Sequence, residues 1–116
     1  MSLAVKICGL STRETLEVAL EAGADMVGFV FFEASPRHVG LGAARELGRQ
    51  ARGRALKVVL TVDADNATLE NCIEAVQPQL LQLHGSESVA RVRDIKQTFG
   101  LPVMKALAIA TADDLA

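Results

Sequence analysis

The stretch Val5-Lys6-Ile7-Cys8-Gly9-Leu10-Ser11 decides how the chain is read. A short apolar run carries a lone cysteine at its carboxyl end, followed by a glycine and a helix start. In α/β folds, ligands sit in the crevice outside the carboxyl ends of the strands. Chemistry is therefore expected at Cys8. The later strand ends, at Arg37, Asp63 and His84, are expected on the same rim if the sheet closes.

The unit then repeats. Ala4 to Cys8 reads as a strand, and Ser11 and Glu14 have the spacing of a capping box for a helix with Leu16, Ala19 and Leu20 on its apolar face, stopped at Gly23. Met26 to Phe32 is too apolar for a half-solvated strand and reads as one covered on both faces. The loop Glu33 to Gly40 leads to a helix from Leu41 to about Arg52. Further strands are expected at Lys57 to Val62, Leu80 to Leu83 and Val103 to about Ala108. Helices are expected from Ala67 to Val76 and from a Ser86 cap to Phe99, and Thr111 to Asp114 has the spacing of one more helix start.

Composition narrows the classes. The 116 residues make one domain's worth of chain, short of the ~250 typical of a closed eight-stranded α/β barrel. Half are hydrophobic, yet there is no Trp or Tyr and only four Phe, so Ala, Val, Leu and Ile must build the core. A net charge of −2 with interspersed signs offers no basic surface to nucleic acid or to a membrane. No apolar run reaches the ~18 residues needed to span a bilayer, and a cytoplasmic protein is expected. Cys72 shares a helical face with Leu69, Ile73 and Val76 and reads as core, so no disulfide with Cys8 is expected.

Two architectures fit a βα repeat: a doubly wound open sheet and a βα barrel. The G-x-G-x-x-G fingerprint often found in the former is absent. Period two puts Lys6 on the face of Cys8, and Gln82 on the face of His84, while Lys105 falls mid-strand and is expected on the same inner face. Charges inside covered strands need partners, which a polar barrel interior supplies more readily.

Three residues could carry chemistry. Cys8 could serve as base or nucleophile, with Lys6 and the helix start near Thr12 to lower its pKa, or could be a small core residue. Arg37, in Ser35-Pro36-Arg37, could fork onto a carboxylate or phosphate, or be a solvated loop residue. His84 could bind substrate or move protons, or be a satisfied rim residue. Asp63 and Asp65 read as turn and cap. No cluster has metal-ligand spacing, and no Gly-x-Ser-x-Gly elbow occurs.

Lys6-Ile7-Cys8-Gly9, Gly28-Phe29-Val30-Phe31 through Ser35-Pro36-Arg37, and Leu81-Gln82-Leu83-His84-Gly85 together resemble phosphoribosylanthranilate isomerase. The resemblance runs from about Val5 to the last residue. It implies a TIM (β/α)8-barrel fold and an Amadori rearrangement in tryptophan biosynthesis, without metal or organic cofactor, on a phosphorylated small molecule. Both monomers and homodimers occur in this kind of barrel. In that family an aspartic acid protonates the ribose ring oxygen, opening the sugar to a Schiff base. A cysteine, matching Cys8, then removes the proton from the neighbouring carbon. Arg37 matches the arginine that holds the anthranilate carboxylate, and His84 sits where the family keeps a rim histidine.

The family's acid lies on a sixth strand and its phosphate-binding glycines follow the seventh and eighth, none of which is in these residues. The chain is therefore expected to be the N-terminal portion of a single βα-barrel domain, five strands and four helices. A polypeptide ending at Ala116 would expose its edge strands, dimerise or aggregate, and lack the activity. Other readings are a different phosphate-binding barrel of tryptophan or histidine biosynthesis, and a non-catalytic half-barrel that binds a partner or small anion.

Overall fold

The computed structural model describes residues 5–105. Five strands, β1 (Lys6–Cys8), β2 (Met26–Phe31), β3 (Leu56–Thr61), β4 (Leu80–Leu83) and β5 (Val103–Lys105), alternate with four helices, α1 (Arg13–Glu21), α2 (Leu41–Ala51), α3 (Asn66–Val76) and α4 (Val89–Phe99). The strands form one parallel sheet in the order β1-β2-β3-β4-β5. A doubly wound sheet reverses its strand order at a switch point. None of the described strands does so, and the barrel arrangement is the one adopted.

Alternation divides each strand between two faces. Val27, Phe29 and Phe31 of β2, Val59 of β3, and Leu81 and Leu83 of β4 join Leu16, Ala19, Leu47, Leu69, Cys72, Val76 and Ile95 of the helices in one buried apolar layer. Cys72 is thus the core residue its helical spacing predicts. Between α2 and α3 the approach is close, because a side chain on Gly48 would begin 3.1 Å from the Val76 carbonyl oxygen. The helices hold the sheet from one side and leave the other for Lys6, Cys8, Leu60, Leu80 and Gln82.

Several expectations shift. The first helix is capped by Thr12, whose hydroxyl accepts from the Thr15 N–H at 3.1 Å while the Thr15 hydroxyl stands 3.4 Å from the Thr12 N–H, so the box belongs to Thr12 and Thr15 and not to Ser11 and Glu14. The fourth helix begins later than expected, with Ser88 and not Ser86 at its cap. β3 starts and ends one residue earlier. Lys105 pairs with Leu83 in the register, while Met104 pairs with Gln82, so Lys105 is on the helix side of the sheet and not its inner face. Thr111 to Asp114, and the strand beyond Lys105, lie outside the described residues.

Candidate active site

Cys8 closes β1 and stands beside Gly28 in the register. A side chain at position 28 would begin 2.9 Å from the Cys8 sulfur, so glycine there gives the thiol its room. Gly9 then turns the chain toward α1 with φ of 82°, a left-handed conformation that suits glycine. The N–H groups of Gly9 and Leu10 both donate to the Gly28 carbonyl, at 3.0 and 3.3 Å.

The loop after β2 folds on itself. Ser35 N–H donates to the Phe32 carbonyl at 2.9 Å, His38 N–H to the Ser35 carbonyl at 3.1 Å, and Val39 N–H returns to the Val30 carbonyl at 3.0 Å. Ser35 Oγ accepts the Arg37 N–H at 3.1 Å. This compact turn lays the Arg37 side chain across Gly9: a Cβ there would lie 3.2 Å from a terminal guanidinium nitrogen and 3.3 Å from Nε. Among the described residues the Arg37 guanidinium makes no ion pair. Its planar fork is free for an external acceptor.

His84 follows β4, its N–H donating to the Thr61 carbonyl at 2.9 Å and its side chain exposed. With Cys8 and Arg37 it lines an open cleft of about 340 Å³, which Val30, Phe32, Leu60 and Val62 make apolar. The three residues singled out in the sequence therefore converge from β1, the β2 loop and β4. A thiol, a guanidinium and an imidazole around an apolar floor suit a small ligand with an apolar body and an anionic group.

Asp63 does not line this cleft. It adopts φ of 48°, and its Oδ1 accepts the Ser86 N–H at 2.8 Å. Asp65 caps α3 by accepting the Thr68 N–H at 2.8 Å, and hydrogen bonds from Thr68 hold its carboxyl below the usual range. Both perform the turn and cap duties read from the sequence.

Sequence reasoning missed Glu87. Its carboxylate accepts from the backbone N–H of Asp63 and of Gly85, each at 2.9 Å, and from Lys105 Nζ at 2.7 Å, while Lys105 Nζ also donates to the Gly85 carbonyl. The Glu87 side chain is only 3% exposed. Burial pushes its carboxyl up, but the hydrogen bonds from Lys105 and the backbone outweigh that and leave it lowered. One carboxylate thus ties the ends of β3, β4 and β5 at the turn that follows His84. No local motif announces it, since its partners come from three strands.

Across the inner face, Lys6 Nζ donates to Gln82 Oε1. In a flat sheet β1 and β4 would lie about 14 Å apart, three strand spacings. The contact fits a sheet that curls toward this face.

The model of the family described as N-(5'phosphoribosyl)anthranilate (PRA) isomerase matches residues 5–116. The N-(5'-phosphoribosyl)anthranilate isomerase of Bradyrhizobium sp. (strain ORS 278) is 74% identical over 116 residues, 100% of this chain and 53% of that protein. The isomerase of Nitrobacter hamburgensis is 71% identical over 116 residues, 100% of this chain and 52% of its own. The chain spans about half the length of the curated relatives it matches. Among solved structures, phosphoribosyl anthranilate isomerase from Thermotoga maritima superposes with a TM-score of 0.88 at 30% identity, covering 98% of this chain and 55% of that one. A structure of the isomerase in complex with reduced 1-(o-carboxyphenylamino)-1-deoxyribulose 5-phosphate gives the same TM-score of 0.88 at 30% identity, covering 98% of this chain and 58% of that one.

Proposed function

Because this chain belongs to the N-(5'-phosphoribosyl)anthranilate isomerase family, we propose that the protein containing it catalyses the Amadori rearrangement of phosphoribosylanthranilate, with Cys8 as general base. The chain would supply the first five strands and four helices of a single barrel domain, in a cytoplasmic enzyme of tryptophan biosynthesis. The observation that carries this reading is the meeting of Cys8, Arg37 and His84 in one cleft.

The chemistry follows from that meeting. Once the sugar is open as a Schiff base, the iminium withdraws electrons from the adjacent carbon and acidifies its C–H bond. A thiolate at Cys8 takes that proton, and the electron pair moves into the new carbon–carbon double bond of an enol-amine. Collapse of the enol gives the ketone. Arg37 receives the carboxylate of the anthranilate ring: the ligand named in the related complex carries a carboxyphenyl group, and the guanidinium fork is uncommitted and adjacent to Cys8 through Gly9. His84, which lines the same cleft, takes a substrate-binding position.

The test is Cys8→Ala and Arg37→Lys in the whole protein, assayed for phosphoribosylanthranilate turnover. Loss of a general base is expected to lower kcat by about 10² to 10⁴, while Arg37→Lys raises KM more than it lowers kcat. Turnover unchanged by Cys8→Ala would overturn the assignment.

A further inference from the structure

We infer that the opposite end of the sheet carries an oxyanion-binding pocket, formed by Arg49, Arg52 and Lys57 between the carboxyl ends of α2 and α3, that takes a phosphate-type dianion. The pocket encloses about 320 Å³. Lys57 stands at the amino-terminal end of β3, whereas Cys8 is at the carboxyl end of β1, so the two sites are separated by the length of the sheet.

Lys57 is the central observation. It points to the helix side of the sheet and is 5% exposed, yet it lines the cavity. Its backbone is satisfied, with the N–H donating to Gln79 Oε1 at 2.7 Å and the carbonyl accepting the Gln79 N–H at 2.9 Å. Its ammonium, by contrast, has no carboxylate in ion-pair range and makes no hydrogen bond among the described residues. Its stem is packed away while the ammonium itself opens onto the cavity, partly stripped of water and unpaired, which carries a cost. Burial, and then the nearby Arg52, push its pKa down. An anion in the cavity would reverse both effects.

The local charge sets the ligand's class. Four cations line the pocket, and its one carboxylate, Glu74, is taken by Arg45 at 3.3 and 3.4 Å. That leaves Arg49, Arg52 and Lys57. Two helices end here, each bringing roughly half a negative charge. Three cations against about one unit leave an excess near two, which matches a dianion. Guanidinium forks and a lysine ammonium are the donors that phosphate-type oxygens accept best.

The inference does not rest on the isomerase reading, since no residue of the Cys8 cleft takes part. The experiment is a thermal-shift titration of the whole protein with inorganic phosphate at constant ionic strength, repeated with Lys57→Met and Arg52→Gln. A saturable rise in Tm is expected for the unaltered protein. The affinity is expected to fall about tenfold or more in each variant. If Lys57→Met does not fold, Arg52→Gln at its exposed position reads the same loss. No saturable rise, or a rise that Arg52→Gln and Lys57→Met both keep, overturns the proposal and marks an adventitious ion only. Glycerol 3-phosphate binding more tightly than phosphate would identify an organic phosphate ester as the occupant, and equal binding would identify the free oxyanion.

Discussion

The two cysteines show how position decides reactivity. Cys72 is 2% exposed on α3, and burial pushes its thiol up to about 11, so at neutral pH it is an uncharged core filler. Cys8 opens onto a cleft. Because alkylation needs both access and thiolate, peptide mapping of native protein treated with iodoacetamide is expected to find Cys8 labelled and Cys72 unlabelled. Label at Cys72 without unfolding would contradict its place in the core. At this scale the sequence led to one cleft from residues at strand ends, Cys8 and His84, and from Arg37 in the loop after the second strand. Contacts that arise from convergence were not legible. Gly28 matters because it faces Cys8 across a register, and Glu87 because Asp63, Gly85 and Lys105 meet at its carboxylate.

Elements were legible in kind and order, while their ends depended on which of several adjacent hydroxyls the backbone used. Ser11 and Thr12 both could cap α1, but the box is built from Thr12 and Thr15. Thr12→Ala is therefore expected to cost about 1 kcal/mol by denaturant titration, and Ser11→Ala close to nothing. Equal losses would return the cap to Ser11. Glu87 gives a second consequence at the junction of three strands. Its carboxyl is lowered in the folded protein, so the unfolded chain binds the proton more readily. The stabilisation is present above the ordinary carboxylate pKa and is lost as pH falls through the lower folded value. Unfolding measured from neutral to acid pH should show a shallower acid loss in Glu87→Gln than in the unaltered protein. Parallel curves would mean the carboxylate contributes no such linkage.

For the molecule as a whole, the choice between barrel and open sheet was the hardest to read, because both begin as βα repeats. The inner face suggested the answer through Lys6 and Gln82, which do meet. The third cue, Lys105, pointed the right way for the wrong reason: it serves Glu87 from the helix side of the sheet. If the Lys6 contact holds the short first strand in place, Lys6→Met is expected to lower the hydrogen-exchange protection of β1 amides while leaving β3 unchanged. Protection lost equally in both strands would mean a general destabilisation instead.

Strand order also bears on how the chain is made. Each described strand after the first pairs with the strand before it, so during synthesis, at roughly 5–20 residues per second, each of these strands emerges after its partner. The Lys6 contact is different: it spans 76 residues and must wait for Gln82 to leave the ribosome. The strand order thus permits stepwise assembly along the sheet, in which the Lys6 contact closes only after the fourth strand arrives.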